Sequence, residues 1–196
     1  MITFAAAVFF LIITPGPGVL STAGVGAGFG YAPGLRYVIG LFVGTNLVAL
    51  AVISGIAALV LSVPVARNLL LYASVTYLLY LAARIALAGS RIGFIKADKA
   101  PGIWNGIALQ AINPKAYAVN TALFSGFGFL PQSPVTEILL KLLIYNVIWI
   151  PIHIVWLAAG VTVQRMNLAK RTQRAINFAM AAAMLVVVAL ALLAQN

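Results

Sequence analysis

The 196-residue sequence has no cysteine, one histidine and two acidic residues. Without cysteine there can be no disulfide, thiolate metal site or cysteine nucleophile. Two acids and one histidine cannot supply a paired general acid and base or a metal cluster, so neither a metal nor any other cofactor is expected. Charge is scarce altogether: 7% of residues carry one, against about 25% in a soluble globular protein, and that class is excluded. From Met1 to Leu35 there is no charged side chain, and further charge-free runs cover 37–66, 116–136, 142–164 and 175–196. Apolar runs of about 18 residues or more read as membrane spans.

What the chain does have is 64% hydrophobic residues and 12 Lys/Arg, for a net charge of +10. A nucleic-acid partner would need a basic face on a soluble surface, and none exists here, so no nucleic acid is expected. Positive charge between hydrophobic spans is instead a topology signal. The N-terminal run lacks a basic n-region and meets Thr14-Pro15-Gly16-Pro17-Gly18 where a cleavage site would stand, so it is expected to remain as a first span.

The pattern predicts an all-α integral membrane protein with six transmembrane helices, at 2–24, 37–61, 68–88, 104–126, 136–161 and 175–194, in one transporter domain over 1–196. Only 16 residues separate Arg67 from Arg84, about 24 Å of helix, so the third span needs Arg84 to snorkel. The stretch from Ala100 to Thr136 would be about 55 Å long if wholly helical and must break. The breaks are read at Asn113-Pro114 and between Gly126 and Pro134. Nine basic residues then fall in loops one, three and five: Arg36; Arg84, Arg91, Lys96 and Lys99; Arg165, Lys170, Arg171 and Arg174. The other side holds Arg67 and Lys141, so the nine are expected in the cytoplasm and both termini outside. A re-entrant first segment would instead put the N-terminus inside.

An internal repeat is also legible. Pro15 breaks the first span and Pro114 the fourth, and about 30 residues after each break an Asn follows in the next span, Asn46 and Asn146. Three spans lie between corresponding breaks, so the halves, about 1–99 and 100–196, would be inverted relative to each other. Paired broken helices in inverted repeats are where secondary transporters bind substrate.

Prolines at 15 and 17 around Gly16 remove helical hydrogen bonds inside an apolar span, which lipid does not tolerate unless protein or a water-filled cavity satisfies the backbone. Lys115 follows the second break, about 16 Å along the helix from Trp104. A Lys near mid-membrane costs about 2.5–3.5 kcal/mol and points to function. It could hold a carboxylate or titrate. His153, just after Pro151, either bonds a neighbouring carbonyl or relays protons. Lys115 and His153 are therefore the coupling candidates. Asn46, Asn113, Asn120 and Asn146 either contact substrate or bond across helices. Gly24, Gly26, Gly28, Gly30 and Gly34, with Gly40 and Gly44, read as close-packing faces that would also permit a homodimer. A dinucleotide site at Gly24 to Gly30 is not expected, because no strand precedes it. Trp104, Trp149 and Trp156 read as interfacial or packing aromatics.

Thr14-Pro15-Gly16-Pro17, Gly40-x-x-x-Gly44 and Asn113-Pro114-Lys115-Ala116 together resemble the LysE/RhtB family of amino-acid exporters. The likeness extends to the basic third loop, Leu130-Pro131-Gln132, and the basic start of the sixth span. It implies efflux of amino acids or related small metabolites across a bacterial inner membrane, driven by the proton gradient or the membrane potential. Family motifs fall on Pro15, Gly16, Pro17, Asn113, Pro114 and Lys115. The resemblance departs after Gly44, where many members carry an acidic residue and this chain has Thr45-Asn46.

The expected function is a secondary exporter whose partners are a small amino acid or derivative, protons and membrane lipids. Its expected substrate-binding residues are Pro15, Gly16, Pro17, Asn46, Asn113, Pro114, Lys115 and Asn146. The alternatives are an integral-membrane enzyme acting on a lipid-like substrate and a small uncoupled channel.

Overall fold

The computed structural model describes residues 1–86, 100–166 and 168–193, which form nine α-helices and no strand. They are α1 (Ile2–Ile13), α2 (Pro17–Phe29), α3 (Tyr31–Ile53), α4 (Ile56–Ser62), α5 (Pro64–Ala86), α6 (Ile103–Ile112), α7 (Pro114–Gly126), α8 (Pro134–Arg165) and α9 (Lys170–Leu193). Arg91, Lys96, Asp98 and Lys99, read above as part of the third loop, lie outside the described residues.

Proline sets the helix starts. Pro17, Pro64, Pro114 and Pro134 each open a helix, where the missing N–H has no intrahelical partner to lose and the fixed φ suits the first turn. The first predicted span is broken as expected: α1 ends at Ile13, Thr14 and Gly16 are extended, and α2 leaves at 51° to α1. The fourth is broken at Asn113 between α6 and α7.

Other boundaries differ from the charge-based reading. α2 runs on to Phe29 and α3 begins at Tyr31, with Gly30 between them at φ 83°. A left-handed glycine breaks the helix there, and Arg36, expected in a loop, lies in the second turn of α3. The second span stops early for the same reason, at Gly55 with φ 79°, leaving α4 separate. Lys170, Arg171 and Arg174 belong to α9 rather than to a loop.

By length and composition, α3 and α8 can each cross a membrane, as can the bent pair α1 and α2 taken as one span. α8, about 48 Å of helix, packs on α1, α2 and α3. α3 packs on α2, α6, α7 and α8, and α5 pairs with α9 at the side. The core between them is formed by Phe4, Val8, Val19, Leu20, Leu41, Leu109, Leu123, Trp149 and Leu157.

Two crossings are close because glycine lets backbones meet. A Cβ on Gly106 would come within 2.6 Å of the Leu41 nitrogen and the Tyr37 carbonyl, so α3 and α6 touch main chain to main chain. Gly160 is set equally close against Ala23 of α2, and Gly26 against the Leu157 carbonyl of α8. Of the glycines read as packing faces, Gly26, Gly34, Gly40 and Gly44 are used inside the chain, whereas Gly28 and Gly30 face open space.

Lys141 was read, with Arg67, as a charge on the side opposite the nine basic residues. It is instead buried inside α8, one turn after Glu137, and the two form an ion pair at 2.8 Å. Glu137 Oε2 also accepts from the N–H groups of Phe129 (2.9 Å) and Leu130. The Lys141 ammonium lies 5.9 Å and 5.8 Å from the ring centres of Phe4 and Phe129. The pair thus fastens the segment before α8 to α8 and α1.

Candidate functional site

Both helix breaks open onto one partly open cavity with a volume of about 40 Å³. Its polar lining consists of Thr45, Gln110, Asn113, Lys115, Tyr145 and His153, and its apolar lining includes Leu11, Ile12, Val19, Val119 and Trp149. Among the described residues, no acidic side chain lines it.

Local sequence positions each group. Thr14 bonds back to Phe10 of its own helix with both its N–H and its hydroxyl, the latter at 2.6 Å, which leaves its carbonyl free. The Lys115 ammonium donates to that carbonyl at 2.5 Å. A cation at the C-terminal end of α1 sits where the helix dipole favours it. Gly16 gives the Lys115 side chain its room, since a Cβ there would lie 2.8 Å from Lys115 Cδ and 3.2 Å from Nζ.

α2 begins without a side-chain cap, because its N-cap is Gly16 and Pro17 has no N–H. Among the described residues, the N–H groups of Gly18 and Val19, which line the cavity, have no hydrogen-bond partner. The start of α7 is satisfied: the Lys115 N–H donates to Asn113 Oδ1 at 3.1 Å.

The Lys115 N–H also fixes the orientation of the neighbouring amides. A backbone N–H can only donate, so the Asn113 atom facing it is the oxygen, and Nδ2 must donate onward, to Gln110 Oε1 at 2.8 Å. That leaves the Gln110 NH₂ as a donor near Gly18, where a Cβ would lie 3.9 Å from its Nε2. The same logic fixes His153. Its Nδ1 lies 3.0 Å from the Trp149 carbonyl, which can only accept, so Nδ1 carries the proton and Nε2 bears a lone pair. The ring stacks on the Trp149 indole with centres 3.5 Å apart and planes within 14°, and Nε2 would lie 3.5 Å from a Cβ on Gly18.

Of the residues expected to bind substrate, Gly16, Asn113 and Lys115 line the cavity with the coupling candidate His153. Pro15, Pro17 and Pro114 shape the breaks around it. Asn46 and Asn146 do not line it. Each donates its amide to the other's oxygen, at 3.0 Å and 2.9 Å, and each also donates to the carbonyl four residues back.

Gln110, Tyr145 and Trp149 were not read as site residues from sequence. Gln110 carried a usable signal, an amide in apolar α6 one turn before the break. Tyr145 carried none, because its hydroxyl acquires its place only by bonding Thr45 at 2.7 Å across 100 residues of chain.

A family model described as LysE type translocator matches residues 9–196. The chain is similar to a leucine efflux protein of Klebsiella pneumoniae subsp. pneumoniae, 27% identical over 131 residues that cover 64% of this chain and 62% of that protein. It is also similar to a leucine efflux protein of Enterobacter sp. (strain 638), 31% identical over 83 residues, 42% of this chain and 39% of the relative. The match thus spans between two fifths and three fifths of those relatives' length. No solved structure matches the chain.

Proposed function

Since the chain belongs to the LysE type translocator family, we propose that it exports neutral, apolar amino acids across a bacterial inner membrane as a secondary transporter. The observation that carries this is Lys115, among the described residues the one charged side chain lining the cavity, held at the junction of the two helix breaks by a neutral carbonyl. A carboxylate is a better partner for an ammonium than a carbonyl, because both members of the hydrogen bond are then charged. The unpaired Gly18 and Val19 N–H groups at the positive end of α2 add donors for the same anion. The apolar wall of Leu11, Ile12, Val19 and Val119 suits a hydrophobic side chain, and a second cation in the substrate would meet Lys115 with no acid to offset it. The relatives' printed role in leucine efflux fits the same class. Membership of a translocator family favours transport over the membrane-enzyme alternative.

The proposed architecture is one domain of six spans in two inverted halves, with the basic segments cytoplasmic. Two sets of contacts support it, because they recur when the halves are exchanged, although the packing of α2 on α3 has no counterpart of that size between α7 and α8. α3 packs on α6 as α8 does on α1, and α2 packs on α8 as α7 does on α3. Asn46 and Asn146, equivalent in the repeat, bond reciprocally, as equivalent residues at a two-fold axis do.

In the transport step, arriving carboxylate displaces the Thr14 carbonyl from Lys115. That frees the α1 end of the first break while α7 stays capped by Asn113. Energy comes from the proton gradient or the membrane potential, with Lys115 and His153 as the coupling candidates in the cavity.

The test is efflux of radiolabelled leucine from proteoliposomes, run beside labelled lysine. Wild-type protein is expected to release leucine faster than lysine, and Lys115→Ala to release neither above the protein-free rate. Leucine efflux by Lys115→Ala at the wild-type rate would overturn the proposal.

A further inference from the structure

A zwitterionic substrate brings an ammonium as well as a carboxylate, and the cavity's hydrogen-bond orientations leave few places for it. Asn113 Oδ1 accepts from the Lys115 N–H and Gln110 Oε1 from Asn113 Nδ2, so the end of this chain of amides left without a partner is the Gln110 NH₂, a donor. Gly18 and Val19 likewise offer N–H groups, and Lys115 offers an ammonium. The Gly18 carbonyl already accepts from Ser21 Oγ at 2.9 Å and Thr22 Oγ1 at 2.8 Å. The Thr45 and Tyr145 hydroxyls are bonded to each other. Among the described side chains lining the cavity, His153 Nε2 is an acceptor with no hydrogen-bond partner, an unprotonated ring nitrogen facing Gly18.

We infer that His153 is the residue that recognises the substrate's α-ammonium, accepting a hydrogen bond at Nε2 while Trp149 holds the ring in place through its carbonyl and its indole face. This rests on the proposed export of amino acids and names the second half of that site.

Position supports it independently of charge. Lys115 Nζ flanks Gly16 and His153 Nε2 flanks Gly18. The Cα atoms of these two glycines are at most about 7 Å apart. The two groups thus flank residues two apart at the same helix break, as a carboxylate and an ammonium borne on one carbon require. The fixed tautomer also gives selectivity: an amino acid satisfies both the donor cluster and the lone pair, whereas a simple carboxylate leaves the lone pair idle.

Binding to purified full-length protein tests the assignment, with leucine and its deaminated analogue 4-methylpentanoate as probes. His153→Phe keeps an aromatic ring over Trp149 but removes the lone pair. It is expected to weaken leucine about tenfold or more, as loss of a charge-assisted hydrogen bond does, and to leave 4-methylpentanoate within about twofold of wild type. His153→Gln, which restores an acceptor, should recover part of the leucine affinity. Retained binding of the analogue reports that each variant is folded. Equal weakening of both ligands would overturn the inference in favour of simple packing. Unchanged leucine affinity with loss of efflux driven by a pH gradient would overturn it in favour of a proton relay. Failure of the export proposal looks different: the wild-type protein then binds neither probe.

Discussion

The Lys115 ammonium donates to the Thr14 carbonyl at 2.5 Å, joining residues 101 apart in sequence. One belongs to the second helix break and the other to the first. The bond therefore closes the two broken helices onto each other, and it answers two local needs at once. Thr14 has a carbonyl that α1 cannot pair, and Lys115 has a charge that an apolar helix cannot hold alone.

Charge and shape at position 115 should both matter. Lys115→Met is expected to abolish leucine binding. Lys115→Arg should bind at least several-fold more weakly than wild type, because the guanidinium is bulkier than the ammonium and Gly16 leaves little room beside it. Isothermal titration with leucine reads both, and wild-type affinity in either variant would contradict the geometry.

Gly16→Ala and Gly160→Ala should fail differently. At Gly16 the added methyl meets the flexible Lys115 chain, which can move, so the protein folds but efflux drops. At Gly160 it meets the Ala23 main chain, which cannot move without parting α2 from α8. Overpacking of that kind costs about 1–3 kcal/mol. Thermal melts in detergent should be lowered clearly for Gly160→Ala and barely for Gly16→Ala. The reverse order would be decisive against this packing.

The Asn46–Asn146 pair is expected to hold helices together rather than bind leucine. Asn46→Leu or Asn146→Leu alone leaves an unpaired amide and should cost about 1–2 kcal/mol. The double variant should lose less than the sum of the two, since neither amide remains to be satisfied. Chemical unfolding gives the cycle. Additive losses would argue that the two amides act separately.

Glu137 and Lys141 form an ion pair next to a core of Phe4 and Phe129. Glu137→Gln leaves Lys141 buried with its charge uncompensated and should destabilise the protein more than Glu137→Gln combined with Lys141→Met. The melting order of the two proteins decides it, and a more stable single variant would refute the pairing.

Much of this was legible along the chain because its causes are local. Proline removes a donor wherever it stands, so Pro15, Pro17 and Pro114 announced both breaks, and a Lys beside one of them announced the cavity. Charge placed the helix ends less well. Arg36 and Lys170 sit inside helices because an exposed basic side chain is compatible with a first or second turn, whereas Gly30 and Gly55 at positive φ are not compatible with continuing one.

The sequence by itself determined an all-helical, membrane-type chain with two helix breaks and an almost complete shortage of acids. Those properties follow from composition and from backbone groups that each residue does or does not carry. Tertiary structure decided which partners meet: Thr14 with Lys115, Thr45 with Tyr145, Asn46 with Asn146, and His153 with Trp149. Three of these pairs are about 100 residues apart, so no local pattern could predict them. His153 and Trp149 are one helical turn apart, yet what the free ring nitrogen faces depends on Gly18 of α2. Hydrogen-bond direction is settled only when a donor and an acceptor from different helices are brought within reach, and the proposed places for a carboxylate and an ammonium rest on that direction.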